Sequence, residues 1–105
     1  MFERINIKQL NDLMESGKPL HIVDIRDPQS FAAGHIINAK PLDNSNVQDF
    51  IVNTPKDDHV SVCCYHGNSS QGAAQFLAEQ GFTNVSSLDG GFEMWKLAKA
   101  DKVEV

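Results

Sequence analysis

The chain has 105 residues, 41% hydrophobic and 22% charged, with nine Lys and Arg against 14 Asp and Glu and a formal net charge of −5. That composition belongs to a folded globular protein, and the length fits one domain over 1–105 with no room for a second complete one. The cations are scattered rather than gathered on one face, which argues against nucleic acid as a partner, and no uncharged apolar run reaches membrane-spanning length.

The segment Met1–Ile7 mixes Glu3 and Arg4 into its apolar residues, so no signal-peptide core can be drawn and a cytoplasmic protein is expected. Ile7, Leu10, Leu13 and Met14 recur at helical spacing, with Gly17 as the stop. Leu20 to Ile25 reads as a buried strand. Asp27-Pro28 then opens a short helix running through Phe31 towards Gly34, with a capping side chain and proline at the first helical position. Val47, Phe50 and Ile51 mark one face of a further helix that ends over Asn53 to Pro55.

Val60 to Cys64 is a strand rich in β-branched residues. A helix follows from Ser69 or Ser70, with Ala73, Phe76 and Leu77 on its buried face and Gly81 closing it. Asn84 to Leu88 gives the last core strand, Asp89-Gly90-Gly91 a turn, and Phe92 to Ala100 the last helix. Such alternation predicts an α/β fold, an open and mostly parallel sheet flanked by helices on both faces. Ligands of such sheets sit at the carboxyl ends of strands, so the segment after Val60–Cys64 is the first place to look for chemistry.

Both cysteines lie there, at Cys63 and Cys64. Neighbours in an extended strand point to opposite faces, so a bridge between them would be strained, and a reducing compartment would not preserve it. No C-x-x-C motif or clustered Cys/His spacing suggests a metal. Core packing or reactivity remains. Cys63, inside the strand, fits packing. Cys64 is followed by Tyr65-His66-Gly67-Asn68 and then by the serines of a helix start. Gly67 and Asn68 tolerate unusual dihedrals, so successive amides can turn inward as a nest, and the next helix aims its free N–H groups at the same point. A thiol placed there has its pKa lowered, and the same nest suits a persulfide or an oxyanion. An anion-binding turn that merely begins with cysteine has the same spacing.

At these residues the chain resembles the rhodanese family, and most closely its single-domain thiosulfate sulfurtransferases. Asp24-Ile25-Arg26 with Phe31-Ala32-Ala33-Gly34-His35-Ile36 is similar to the family's N-terminal signature, Cys64 to Ser70 to its active-site loop, and Gly90-Gly91-Phe92-Glu93-Met94-Trp95 to its C-terminal signature. The signature-bearing part spans about 17–100. Two departures stand out. Ile37-Asn38-Ala39 replaces a common Pro-Gly-Ala, which loosens a turn, and Ser69 stands where many relatives carry a loop arginine that helps bind thiosulfate. Of the loop residues, only His66 can titrate to replace part of that charge. A phosphatase of the Cys-x5-Arg type is disfavoured, because the sixth residue after Cys64 is Ser70 and the phosphate-clamping arginine is missing.

The resemblance implies transfer of sulfane sulfur from thiosulfate, through a Cys64 persulfide, to cyanide, a small thiol or a thioredoxin-like protein, with release of sulfite. It implies substrate binding by Tyr65, His66, Gly67, Asn68, Ser69 and Ser70, and no metal or organic cofactor. His35 reads as a hydrogen-bonded structural histidine, Asp24 and Arg26 as a structural charge pair, and Trp95 as core. Ser69 and Ser70 read first as helix caps.

Overall fold

In a computed structural model describing residues 1–105, β1 (Glu3–Ile5) and α1 (Ile7–Glu15) lead into β2 (Leu20–Asp24) and α2 (Pro28–Ala33). There follow β3 (His35–Ile36), β4 (Lys40–Pro41), α3 (Val47–Asn53), β5 (His59–Cys63), α4 (Ser69–Glu79) and β6 (Val85–Leu88). The chain closes with α5 (Gly91–Ala98), a 3₁₀ turn over Ala100–Lys102 and β7 (Val103–Glu104). The main sheet has the order β1-β6-β5-β2-β4 and is parallel throughout, while β3 and β7 pair antiparallel at one side.

Alternation along the strands sorts two cores. Ile22, Cys63 and Leu88 face Leu10 of α1 with Phe92 and Trp95 of α5. Val23, Val60, Val62 and Val85 face Ile51 of α3 with Ala74 and Leu77 of α4. Helices therefore cover both faces, as the strand–helix alternation predicts. Each crossover returns the chain to the same edge of the sheet, so the loops after β2, β5 and β6 meet at the carboxyl ends of three adjacent strands. No helix is long and apolar enough to cross a membrane.

Local signals explain most boundaries. Asn6 and Gln9 form a reciprocal capping box at the start of α1, both bonds being 2.8 Å. Asp27 caps α2 by accepting from Ser30 N–H at 3.1 Å, with Pro28 at the first position. The turn at Ile37-Asn38-Ala39 stays closed, because Asn38 takes the left-handed conformation (φ +69°) and Ala39 N–H reaches Ile36 O at 2.9 Å.

Several elements differ from the sequence expectation. The edge strand β1 and the two-residue strands β3, β4 and β7 are too short to show an alternating pattern. The last helix ends at Ala98 rather than Ala100, where the backbone tightens into the 3₁₀ turn. Phe76 is 40% exposed, because the buried stripe of α4 runs through Ser70, Ala74 and Leu77. With Ile25, Leu42, Val47 and Ala73 it lines an open groove of about 410 Å³ between α3 and α4.

Candidate active site

Cys64 is the first residue past β5, the sheet's middle strand. Since Cys63 points into the core beneath α1 and α5, the next side chain turns to the α4 side. There its Sγ receives Gly67 N–H at 3.2 Å and Ser70 N–H at 3.3 Å, and the Ser70 hydroxyl lies 3.3 Å away. Ser70 is the second residue of α4, so its N–H has no partner within the helix and is free to point at the sulfur along the positive end of the dipole.

The loop is held in this shape from beneath. Phe92 N–H donates to Cys64 O at 2.8 Å and Glu93 N–H to Tyr65 O at 3.1 Å. The start of α5 thus ties two loop carbonyls down, leaving the loop's amides to face inward. Glycine is required at both contact points. Gly67 has φ +92° and a Cβ there would lie 2.9 Å from Gly90 N; Gly91 has φ +59° and a Cβ there would lie 2.5 Å from the Cys64 and Tyr65 carbonyl oxygens. Gln71 Nε2 adds a bond to Gly67 O at 2.9 Å.

The two thiols are driven apart. At Cys64 burial pushes the pKa up, but the Ser70 hydroxyl and the N–H groups of Ser70, Gly67 and His66 outweigh it and leave it below an ordinary thiol. At Cys63 burial, followed by the Asp24 carboxylate, pushes the pKa far up, so this thiol stays protonated. Neither forms a disulfide.

The other loop residues divide by what their side chains do. Gly67 and Ser70 touch the sulfur. Tyr65 is turned away, its hydroxyl bonded to the Asp27 carboxylate and 3.0 Å from Ser30 Oγ. His66 is exposed, and its ring makes no hydrogen bond. Asn68 occupies the N-cap position and Ser69 the first turn of α4, yet no side chain caps that helix; the anticipated serine caps are not formed. The nearby Arg26 side chain is buried and paired with Asp24 through bonds of 2.8–3.1 Å, donates to Gly34 O at 2.7 Å, and lies 4.2 Å from the Phe92 ring centroid. Asp24 and Arg26 therefore form a buried charge pair within the scaffold. His35 bonds Phe31 O at 2.8 Å, and Trp95 is fully buried with its indole N–H on Lys102 O at 3.1 Å. No three His, Cys, Asp or Glu side chains converge closely enough to hold a metal ion.

Sequence reasoning missed the work of Gly91 and of the Phe92 and Glu93 amides. The double glycine was visible as a turn and as the start of a signature, but its approach to the cysteine loop is a matter of tertiary structure.

An open parallel α/β sheet with a thiol cradled by amides at the end of its middle strand defines a class, and residues 6–98 match the rhodanese-like domain: the chain belongs to that family. Among its relatives, the proteins named thiosulfate sulfurtransferase GlpE from Ectopseudomonas mendocina and Pseudomonas entomophila are 54% and 55% identical over 95 residues, covering 90% of this chain and 85% of theirs. The solution structure of the rhodanese-like domain of the Anabaena protein Alr3790 superposes with a TM-score of 0.83 at 26% identity, over 99% of this chain and 80% of that one. A rhodanese-like domain protein from Staphylococcus aureus gives 0.77 at 26% identity, over 90% and 91% of the two chains.

Proposed function

We propose that this chain is a thiosulfate sulfurtransferase that carries sulfane sulfur as a persulfide on Cys64. The observation that carries the reading is the set of polar groups converging on Cys64 Sγ, two donating N–H groups and the Ser70 hydroxyl, all within 3.3 Å. Such donors favour the thiolate, the nucleophilic form.

The Cys64 thiolate attacks the outer sulfur of thiosulfate. A new S–S bond forms, the S–S bond of thiosulfate breaks, and sulfite departs with that electron pair. Amides of the loop from Tyr65 through Ser69, together with Ser70, receive the anionic substrate and then the terminal sulfur of the persulfide. In the second half-reaction a nucleophile attacks that terminal sulfur and the Cys64 thiolate leaves. Cyanide, a small thiol or a thioredoxin-like protein fills the acceptor role. Sulfur is the cargo throughout, so neither half-reaction draws on a metal or organic cofactor. We assign the protein to the cytoplasm, where its unbridged thiols suit a reducing medium.

Intact-protein mass spectrometry after thiosulfate treatment tests the site. One sulfur atom is added to the wild type and to Cys63→Ser and is released by cyanide, whereas Cys64→Ser takes up none. Uptake by Cys64→Ser, or its loss in Cys63→Ser, sinks the assignment. Parallel double-reciprocal lines with varied thiosulfate and acceptor are the kinetic counterpart.

A further inference from the structure

The Ser70 hydroxyl that faces Cys64 does not stand alone. Ser87 on β6 places its own hydroxyl 2.7 Å from Ser70 Oγ, and both serines are fully buried. The parallel register makes this possible: Ser87 lies opposite Val62, two residues before Cys64, so it faces the same side of the sheet. This chain supplies both contacts, Ser87 with Ser70 and Ser70 with the sulfur; either serine can donate in the first, and in the thiol form the sulfur donates in the second.

Proton counting fixes the direction. With Cys64 as a thiol, three protons compete for the two contacts among these groups, so one O–H or S–H makes no bond within the set. With Cys64 as a thiolate, two protons serve two contacts: Ser87 donates to Ser70, and Ser70 donates to the sulfur. A donor left without a partner is disfavoured, so the pair favours the charged form of the sulfur. A hydroxyl that is itself receiving a hydrogen bond is also the stronger donor.

We propose that Ser87 is a positioning residue for the reaction, its hydroxyl turning the Ser70 proton onto the Cys64 sulfur. The role covers both half-reactions, because Cys64 is an attacking thiolate in the first and a departing thiolate in the second. The inference rests on Cys64 being the reacting thiol; a role as mere packing between β6 and α4 would leave the sulfur's ionisation untouched.

The test is the pH dependence of Cys64 alkylation by iodoacetamide, which needs no sulfur donor and so stands whether or not thiosulfate is a substrate. Relative to wild type, Ser87→Ala raises the midpoint by roughly 0.5–1 pH unit and slows alkylation below the midpoint by about 3- to 10-fold, the equivalent of that shift. Ser70→Ala raises it at least as far, and the Ser70→Ala/Ser87→Ala double variant goes no further than Ser70→Ala alone. Should alanine disturb folding, as followed by far-UV circular dichroism, the isosteric pair Ser87→Thr and Ser87→Val isolates the hydroxyl: valine gives a midpoint above threonine's. An unmoved midpoint in Ser87→Ala, equal midpoints for threonine and valine, or shifts that add fully in the double variant each overturn the proposal.

Discussion

Two adjacent residues of the same type, Cys63 and Cys64, carry opposite chemistry because one residue of advance along a strand reverses the face of the sheet. Cys63 enters an apolar core with Ile22, Leu88 and Trp95, and burial raises its pKa; at Cys64 burial is outweighed by the Ser70 hydroxyl and three N–H groups. With Cys64 as the proposed nucleophile, its lowered pKa puts the rising limb of kcat/KM for thiosulfate below the pH at which an ordinary thiol ionises, with a plateau above it, as initial rates across pH will report. The same lowered pKa links to folding: its stabilising contribution is present above the unfolded thiol's pKa and is lost as pH falls through the folded one. Cys63→Ser leaves the rising limb in place, because that thiol does not ionise in the range. Cys64 was legible from its position at a strand end before a glycine-bearing loop. Ser87 was not, since its approach to Ser70 depends on the β5–β6 register.

At the level of elements, two helix starts meet under one loop and do different work. The first turn of α4 gives its free N–H to the sulfur, whereas the first turn of α5 gives two N–H groups to the loop's carbonyls. The second arrangement needs Gly91. Gly91→Ala would drive a Cβ to 2.5 Å from backbone atoms of Cys64 and Tyr65 at a left-handed φ, so the loop has to shift. We expect a loss of about 1–3 kcal/mol in urea unfolding, with kcat/KM falling more than the fraction unfolded accounts for, since the donors lose their aim. Helices and strands of four or more residues were legible from apolar periodicity and capping residues. The two-residue strands were not, and neither was the outward turn of Phe76, which depends on how α3 and α4 leave their groove open.

For the molecule as a whole, the carboxyl edge of the sheet is clamped by one buried cation. Arg26 follows β2, pairs with Asp24, bonds the carbonyl of Gly34 beyond α2, and packs on Phe92 of α5. Removing it strands the Asp24 carboxylate in the interior. Arg26→Ala is therefore expected to cost about 3–5 kcal/mol in denaturant unfolding. Arg26→Lys recovers only part of that, because a lysine cannot reproduce the forked bonds. The double variant Asp24→Leu/Arg26→Met is less destabilised than Arg26→Ala, since no charge is left behind. The Asp-x-Arg spacing in Asp24-Ile25-Arg26 was readable as a charge pair; its reach to Gly34 and Phe92 exists only after the sheet has assembled.

The opposite outlook of the two cysteines also governs what happens between the half-reactions. A persulfide is ordinarily vulnerable to a second thiol nearby, which expels hydrosulfide and closes a disulfide. Here the neighbour in sequence is protonated and on the far side of the sheet. Under the proposed reading, a loaded molecule has no internal route to discharge. It waits, and the lifetime of its sulfur is set by the supply of external acceptors, which makes the protein a one-atom store as well as a catalyst.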